Sequence, residues 1–332
     1  MKRLRLLLLA VSTILAISFC PSARAQLVIV PTFDSTITSD PNAATIESAI
    51  NATISRIESD IATSDTVKIT FQEMGSGLGQ SNYSYYQVPY STYRTDLALT
   101  DSSADDTTAL ASLPSGSTNP VNGNGYVNVN TALARVLGIS SYSGSDGTIG
   151  LDTSIMNLSR TGAQNASYYD LQATAGHEID EILGIGGPGS ALPTTNSSVG
   201  LLDLFRYSAP GTRSFTTSTS AAPYFSINGG VTDLVHFNQA GGSSDYSDWG
   251  NGVTPAQGAG NSPPQVQDAF GTPGVDVNVG KNEVTALDVI GYTLTSQGLA
   301  LESGTVPEPS TYALLLSGLA LLAIGHWRAR RA

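Results

Sequence analysis

The segment Ala173-Thr174-Ala175-Gly176-His177-Glu178-Ile179-Asp180-Glu181-Ile182-Leu183-Gly184 gathers the residues best suited to chemistry. Apolar positions flank a polar trio and a glycine ends the run, so the segment reads as a buried helix. Positions four apart share a helix face, which points His177 and Glu181 the same way. Glu178 lies one helical step, about 100°, around from His177. There its carboxylate can reach a water held by a metal rather than the metal itself. Buried charge without a partner is costly, and a divalent ion between an imidazole and a carboxylate removes that cost. The plainer alternative is that His177 and Glu181 only pair with neighbouring side chains.

Several elements must position this helix. Residues 41–61 read as a helix, because Ile46, Ile50, Ile54, Ile57 and Ile61 form one apolar stripe at three- and four-residue steps. Residues 66–71 alternate with β-branched positions and read as a strand. Residues 75–86, rich in Gly, Ser and Tyr, read as loop or edge structure, and residues 93–99 and 127–137 as helical. Residues 147–152 form a short strand between turn residues. The site helix is expected over about 167–183, stopped by the glycines after Leu183. Beyond Gly200, short apolar runs at 201–207, 224–227 and 234–237 are separated by Gly, Ser, Asn and Asp, and residues 283–291 make a last short helix. The pattern predicts an α+β body over 26–305: helices and a small mixed sheet to about 187, then a loop-rich part from 188.

Both ends differ from this body. Lys2, Arg3 and Arg5 precede an apolar core at 6–17, and Ala23-Arg24-Ala25 supplies small residues for cleavage, so residues 1–25 read as a secretory signal cut before Gln26. Cys20, the single cysteine, lies inside it; the exported chain therefore has no disulfide and no thiol nucleophile. Seven of the 15 basic residues and one of the 27 acidic ones sit in the end segments, leaving the body a net charge of −18. Such a surface excludes nucleic acid as a partner and offers carboxylates to divalent cations. At the C-terminus, Val306-Pro307-Glu308-Pro309-Ser310-Thr311 is followed by an apolar stretch at 312–324 and by His326-Trp327-Arg328-Ala329-Arg330-Arg331. This order resembles the PEP-CTERM sorting signal, read by exosortases in Gram-negative bacteria. The resemblance makes 306–332 a sorting tail with signal peptidase and exosortase as processing partners. It implies passage across the inner membrane and a final place at the cell surface or outside. The stretch from Thr311 to Trp327 reaches the short end of the about 17–25 residues that span a bilayer, enough for transient anchoring with the arginines on the cytoplasmic side.

The helix itself resembles the zincin motif, in which two histidines four apart bind zinc and the glutamate between them is the general base. The resemblance implies a zincin-like metalloprotease fold, zinc on His177 and Glu181, and Glu178 as base. Residues 148–152 then stand where zincins place their edge strand. Glu181 replaces the second histidine; a carboxylate is an acceptable zinc ligand but leaves the ion a weaker acidifier of water. The wording around the helix, with Leu202-Asp203-Leu204-Phe205-Arg206-Tyr207, Asp245-Tyr246-Ser247-Asp248-Trp249 and Ala286-Leu287-Asp288-Val289-Ile290-Gly291-Tyr292, is similar to a family of PEP-CTERM-bearing zincin-like proteins with a glutamate at the same place. That likeness covers most of residues 40–292.

A third ligand is required, and the extended histidine position falls on Gly187. Asp203, 22 residues beyond Glu181, ranks first because other zincins supply an acidic ligand at such a distance; His236 ranks second and Asp245 third. Their plainer roles are an ion pair with Arg206 for Asp203 and a core histidine for His236. Asp105-Asp106, Asp245 to Asp248 and Asp276 to Asn278 are possible calcium donors, and Tyr246 a possible oxyanion donor. No Gly-x-Ser-x-Gly elbow and no Walker loop is present. The expected function is an exported zinc metallopeptidase that holds a peptide or protein substrate against the strand near Ile149. The alternative is a non-catalytic matrix or surface protein that keeps the fold.

Overall fold

The computed structural model describes residues 26–187, 189, 199–240, 245–252 and 260–304. The signal segment and the sorting tail lie outside these. In chain order the elements are β1 (Val28–Phe33), α1 (Ser35–Thr38), α2 (Ala43–Asp60), β2 (Thr66–Glu73), β3 (Gly79–Tyr83), β4 (Tyr85–Pro89), α3 (Tyr90–Thr100) and α4 (Ala104–Ser112). There follow β5 (Tyr126–Asn130), α5 (Thr131–Val136), β6 (Gly147–Leu151), β7 (Met156–Asn157), β8 (Tyr169–Asp170) and α6 (Leu171–Leu183). Last come β9 (Arg206–Ala209), β10 (Thr212–Arg213), β11 (Tyr224–Phe225), β12 (Val235–Phe237), β13 (Trp249–Gly250), α7 (Lys281–Ile290) and α8 (Ser296–Glu302). The class is α+β, with separate sheets in the two halves.

The first sheet has the order β1-β2-β6-β3, with β1, β2 and β6 parallel and β3 antiparallel to β6. Val67, Ile69 and Phe71 of β2 alternate into the core, and the isoleucine stripe of α2 is buried as its spacing requires. Each fully buried Ile of this kind contributes roughly 1.5–3 kcal/mol relative to exposure. Through this stripe α2 supports α6. The residues before Asp40 are part of the core, since β1 pairs along its whole length with β2 and Leu27 and Ile29 are buried.

Three sequence expectations need correction. The strand near Ile149 is not an edge: β6 lies between β2 and β3, and β3, from the Gly/Ser/Tyr-rich segment, is the edge strand on that side, with β1 at the other. Gly147 permits the close packing there, since a Cβ on it would lie 2.7 Å from both Asn82 O and Ile182 Cδ1. Residues 127–137 are not one helix; Val127 and Val129 alternate inward on β5, paired with β4, and the helix starts at Thr131. The site helix starts at Leu171, because Asp170 caps it by accepting hydrogen bonds from the Gln172 and Ala173 amides.

The second sheet, β10-β9-β11-β12-β13, is built from what reads in sequence as a loop-rich part. Aromatic residues supply its core: Trp249 packs 5.6 Å from Phe225 and 5.4 Å from Phe237 between ring centres, and the buried Arg206 guanidinium lies 4.4 Å over Phe237. Strands of two to four residues have too little alternation to declare themselves in sequence.

Away from the sheets, α4, α7 and α8 enclose Asp106, Asp288 and Glu302. Asp106 closes a capping box with Ser103, whose hydroxyl also donates to Asp288. Burial first, then neighbouring carboxylates, pushes Asp288 up to about 9 and Glu302 up to about 7; burial leads also for Asp106, at about 6. The folded chain thus keeps protons that the unfolded chain releases near pH 4. Stability from this cluster is complete below about pH 4 and is lost as pH rises toward 9. Asp288→Asn is expected to flatten that decline, raising the urea midpoint at pH 9 relative to the parent by more than at pH 4. A variant with the parent's pH profile would contradict this.

Candidate metal centre

Helix α6 lies with Ile179, Ile182 and Leu183 in the core and with His177, Glu178 and Glu181 on the floor of a cleft of about 970 Å³. Its polar face runs beside β3. Gly79 of β3 is needed for this approach, because a Cβ there would lie 2.3 Å from Glu178 Oε1. The helix ends at Gly184, whose φ of 121° suits glycine, and its amide returns to Asp180 O at 2.9 Å.

Three side chains converge. His177 Nε2 lies 3.5 Å from Glu181 Oε1 and 3.5 Å from Asp248 Oδ2. The three ligand atoms lie within 4.8 Å of one another. Two donors on a tetrahedral zinc at about 2.0–2.1 Å are themselves about 3.3–3.4 Å apart, so the spacing around the imidazole matches what such an ion requires. Each residue is also held by its other atom. His177 Nδ1 is 3.0 Å from Val266 O, which can only accept, so Nδ1 carries a proton and Nε2 is the nitrogen turned toward the two carboxylates. Glu181 Oε2 accepts a hydrogen bond from Ser81 Oγ on β3. Asp248 Oδ1 accepts from the Gly187 amide at 2.7 Å and from Gln267 Nε2 at 3.0 Å.

The electrostatics point the same way. Burial pushes Glu178 up to about 8, where the pull of His177 is opposed by Glu181, Asp248 and Asp245. Burial followed by Asp248 and Glu181 raises Asp245 to about 7. Burial alone would lower His177, but Asp248 and Glu181 outweigh it and hold the imidazole well above its ordinary value. Four carboxylates around one imidazole crowd negative charge, which proton uptake relieves in part and a divalent cation could relieve directly. The donor set and its anchoring fit such an ion.

The structure brings His177, Glu178 and Glu181 together and adds Asp248. It does not bring in Asp203 or His236. Asp203 sits on the short 3₁₀ turn Leu202–Phe205, with Oδ2 against Gly200 and its charge facing Arg206. His236 is on β12, opposite Gly250 of β13, with Nε2 3.1 Å from Asp233 and outside the three-residue cluster. Asp245 lines the cleft without joining the three-residue cluster. Tyr246 is absent from the described lining residues, whereas Tyr83 is present. Among the calcium candidates, Asp106 serves the cap of α4, Asp276 accepts from Gln164 and Asn278 accepts from Arg160. Asp248 was visible in sequence only as one acid in the Asp245–Asp248 run. Nothing in the sequence marks Ser81, Val266 or Gln267, which act through hydrogen bonds that the fold creates.

Comparison with known proteins identifies the C-terminus. The PEP-CTERM protein-sorting motif matches residues 305–331. The chain is therefore an exported protein, sorted by exosortase to the cell surface or beyond. No curated protein and no solved structure matches the chain.

Ligand assignment can be tested directly. Asp248→Ala is expected to weaken cobalt(II) binding by about 100-fold or more, exceeding the 10–100-fold typical of losing an outer partner. Asp203→Asn should leave the affinity unchanged. Isothermal titration of both variants separates the two positions, and the reverse ranking would remove Asp248 from the centre.

Proposed function

We propose that the exported body is a zinc-dependent metallopeptidase of zincin-like design, released or held outside a Gram-negative-type cell once its tail is processed. The observation that carries this is the arrangement of His177, Glu181 and Asp248, each tied by one atom and each aiming another at a common point beside Glu178. Bound there, zinc would polarise a carbonyl group and acidify a water molecule. Glu178 accepts that water's proton and passes it to the leaving amine; a base in this role contributes typically about 10²–10⁴-fold. The open edge of β3 offers backbone donors and acceptors to an extended peptide, which favours a polypeptide substrate. Tyr83, whose phenol burial keeps protonated, lines the same cleft and can donate to a developing oxyanion.

Glu178→Gln is the decisive variant. It should retain one zinc per chain by elemental analysis while casein cleavage falls by about 10²–10⁴-fold. Freshly purified parent protein that neither contains nor takes up zinc would sink the proposal, as would undiminished cleavage by the variant.

A further inference from the structure

Two segments distant in sequence complete the candidate centre. Residues 264–269 contribute Val266 O, which orients His177, and Gln267 Nε2, which holds Asp248. Strand β13 follows directly on Asp248. These segments are bonded to each other: the Trp249 amide donates to Gln267 O at 2.8 Å and the Ala269 amide to Trp249 O at 3.0 Å. Both also meet one fully buried side chain from α7. Glu283 Oε1 accepts from the Gln267 amide at 3.1 Å and from the Trp249 indole Nε1 at 3.2 Å. Its Oε2 accepts from the Gly280 amide at 3.0 Å, closing the N-terminus of α7.

We infer that Glu283 is a positioning residue for the metal centre, a buried clamp that fixes the Val266–Gln267 segment and the Asp248–Trp249 segment at one spacing. This rests on the metal reading of the site. Three N–H donors converge on two oxygens, so only a carboxylate satisfies all of them. A glutamine of the same shape presents an NH₂ to at least one donor and leaves it unpaired in a buried place. Any shift of the two segments reaches the centre through two ligands at once, because the residue beside Gln267 orients His177 and the residue beside Trp249 is Asp248. Glu283 itself touches no ligand atom. Its effect is therefore on geometry and affinity.

The test uses the mature chain and cobalt(II), whose visible spectrum reports ligand geometry. Glu283→Gln should bind cobalt about 10–100-fold more weakly than the parent and shift the absorption bands. Ile46→Ala, in the α2 core, is the control; it should lower the melting temperature and leave the cobalt affinity of the folded protein unchanged. If Glu283→Gln gives no cooperative melt, Trp249→Phe, which removes the indole donor together with one ring of the aromatic core, takes its place with the same expected direction. Parental affinity and spectrum in the deciding variant would overturn the inference, and so would an equal loss in Ile46→Ala. A parent that binds no cobalt would instead refute the metal reading, and the inference with it.

Discussion

Glu178, Glu181, Asp245 and Asp248 share the cleft with a single imidazole, and removing that much like charge from water is the constraint around which the rest of the molecule is organised. The fold meets it by spending the groups around the site on one oxygen or nitrogen of each ligand. Ser81 takes one oxygen of Glu181, the Gly187 amide and Gln267 take one of Asp248, and Val266 takes the inner nitrogen of His177. The remaining nitrogen and oxygens lie within 4.8 Å of one another. His177 Nε2 lies 3.5 Å from a carboxylate oxygen of each of the other two, a grouping whose negative charge a protonated imidazole balances in part and a cation could balance further.

That arrangement explains the architecture on either side. Helix α6 is held by the α2 stripe behind it and by β3 beside it, so the polar face has little freedom to turn away. Glycine at 79 and at 147 lets helix and strands approach at the distance the carboxylates need. The second sheet carries no ligand-like pattern along its short strands, yet its aromatic core around Trp249 fixes the position of Asp248. Glu283 then joins this sheet to the segment that orients His177. The two halves of the chain thus meet at the cleft through hydrogen bonds to buried groups, which are stiff because each broken one leaves an unpaired polar atom.

Export sets the conditions under which this must be stable. With a single cysteine, Cys20, the chain can form no internal disulfide and relies on apolar burial, helix caps and buried ion pairs. Arg135 illustrates the last, bridging Asp65 at 2.9 Å and Asp146 at 2.7 Å where α5 meets the first sheet. The acidic surface favours solubility, while its inward-facing acids, such as Asp288, make the fold sensitive to alkaline conditions. A bound cation would relieve part of the same strain at the centre.

Much of this was legible in the sequence, and the limits have physical causes. The sorting tail, the α2 stripe, the β2 strand and the facing of His177 and Glu181 follow from local composition and period, because each is decided within about twenty residues. Residues 127–137 misled because Val127 and Val129 suit a strand only once β4 lies beside them. The edge position passed from β6 to β3 for a similar reason: strand order depends on crossovers, which no single strand's pattern records. Asp248 in place of Asp203 is the clearest case. Sequence separation measured from Glu181 favours Asp203, but a 3₁₀ turn directs that carboxylate toward Gly200 and Arg206, while the chain leading into β13 brings Asp248 back across residues 178–247 to the imidazole. Export and the helix that brings His177 and Glu181 onto one face could be read from local order alone, since both are set by short-range spacing. Asp248 as the third member of the cluster, and the hydrogen bonds that orient all three, emerge only in the folded chain, because they depend on where distant backbone comes to rest.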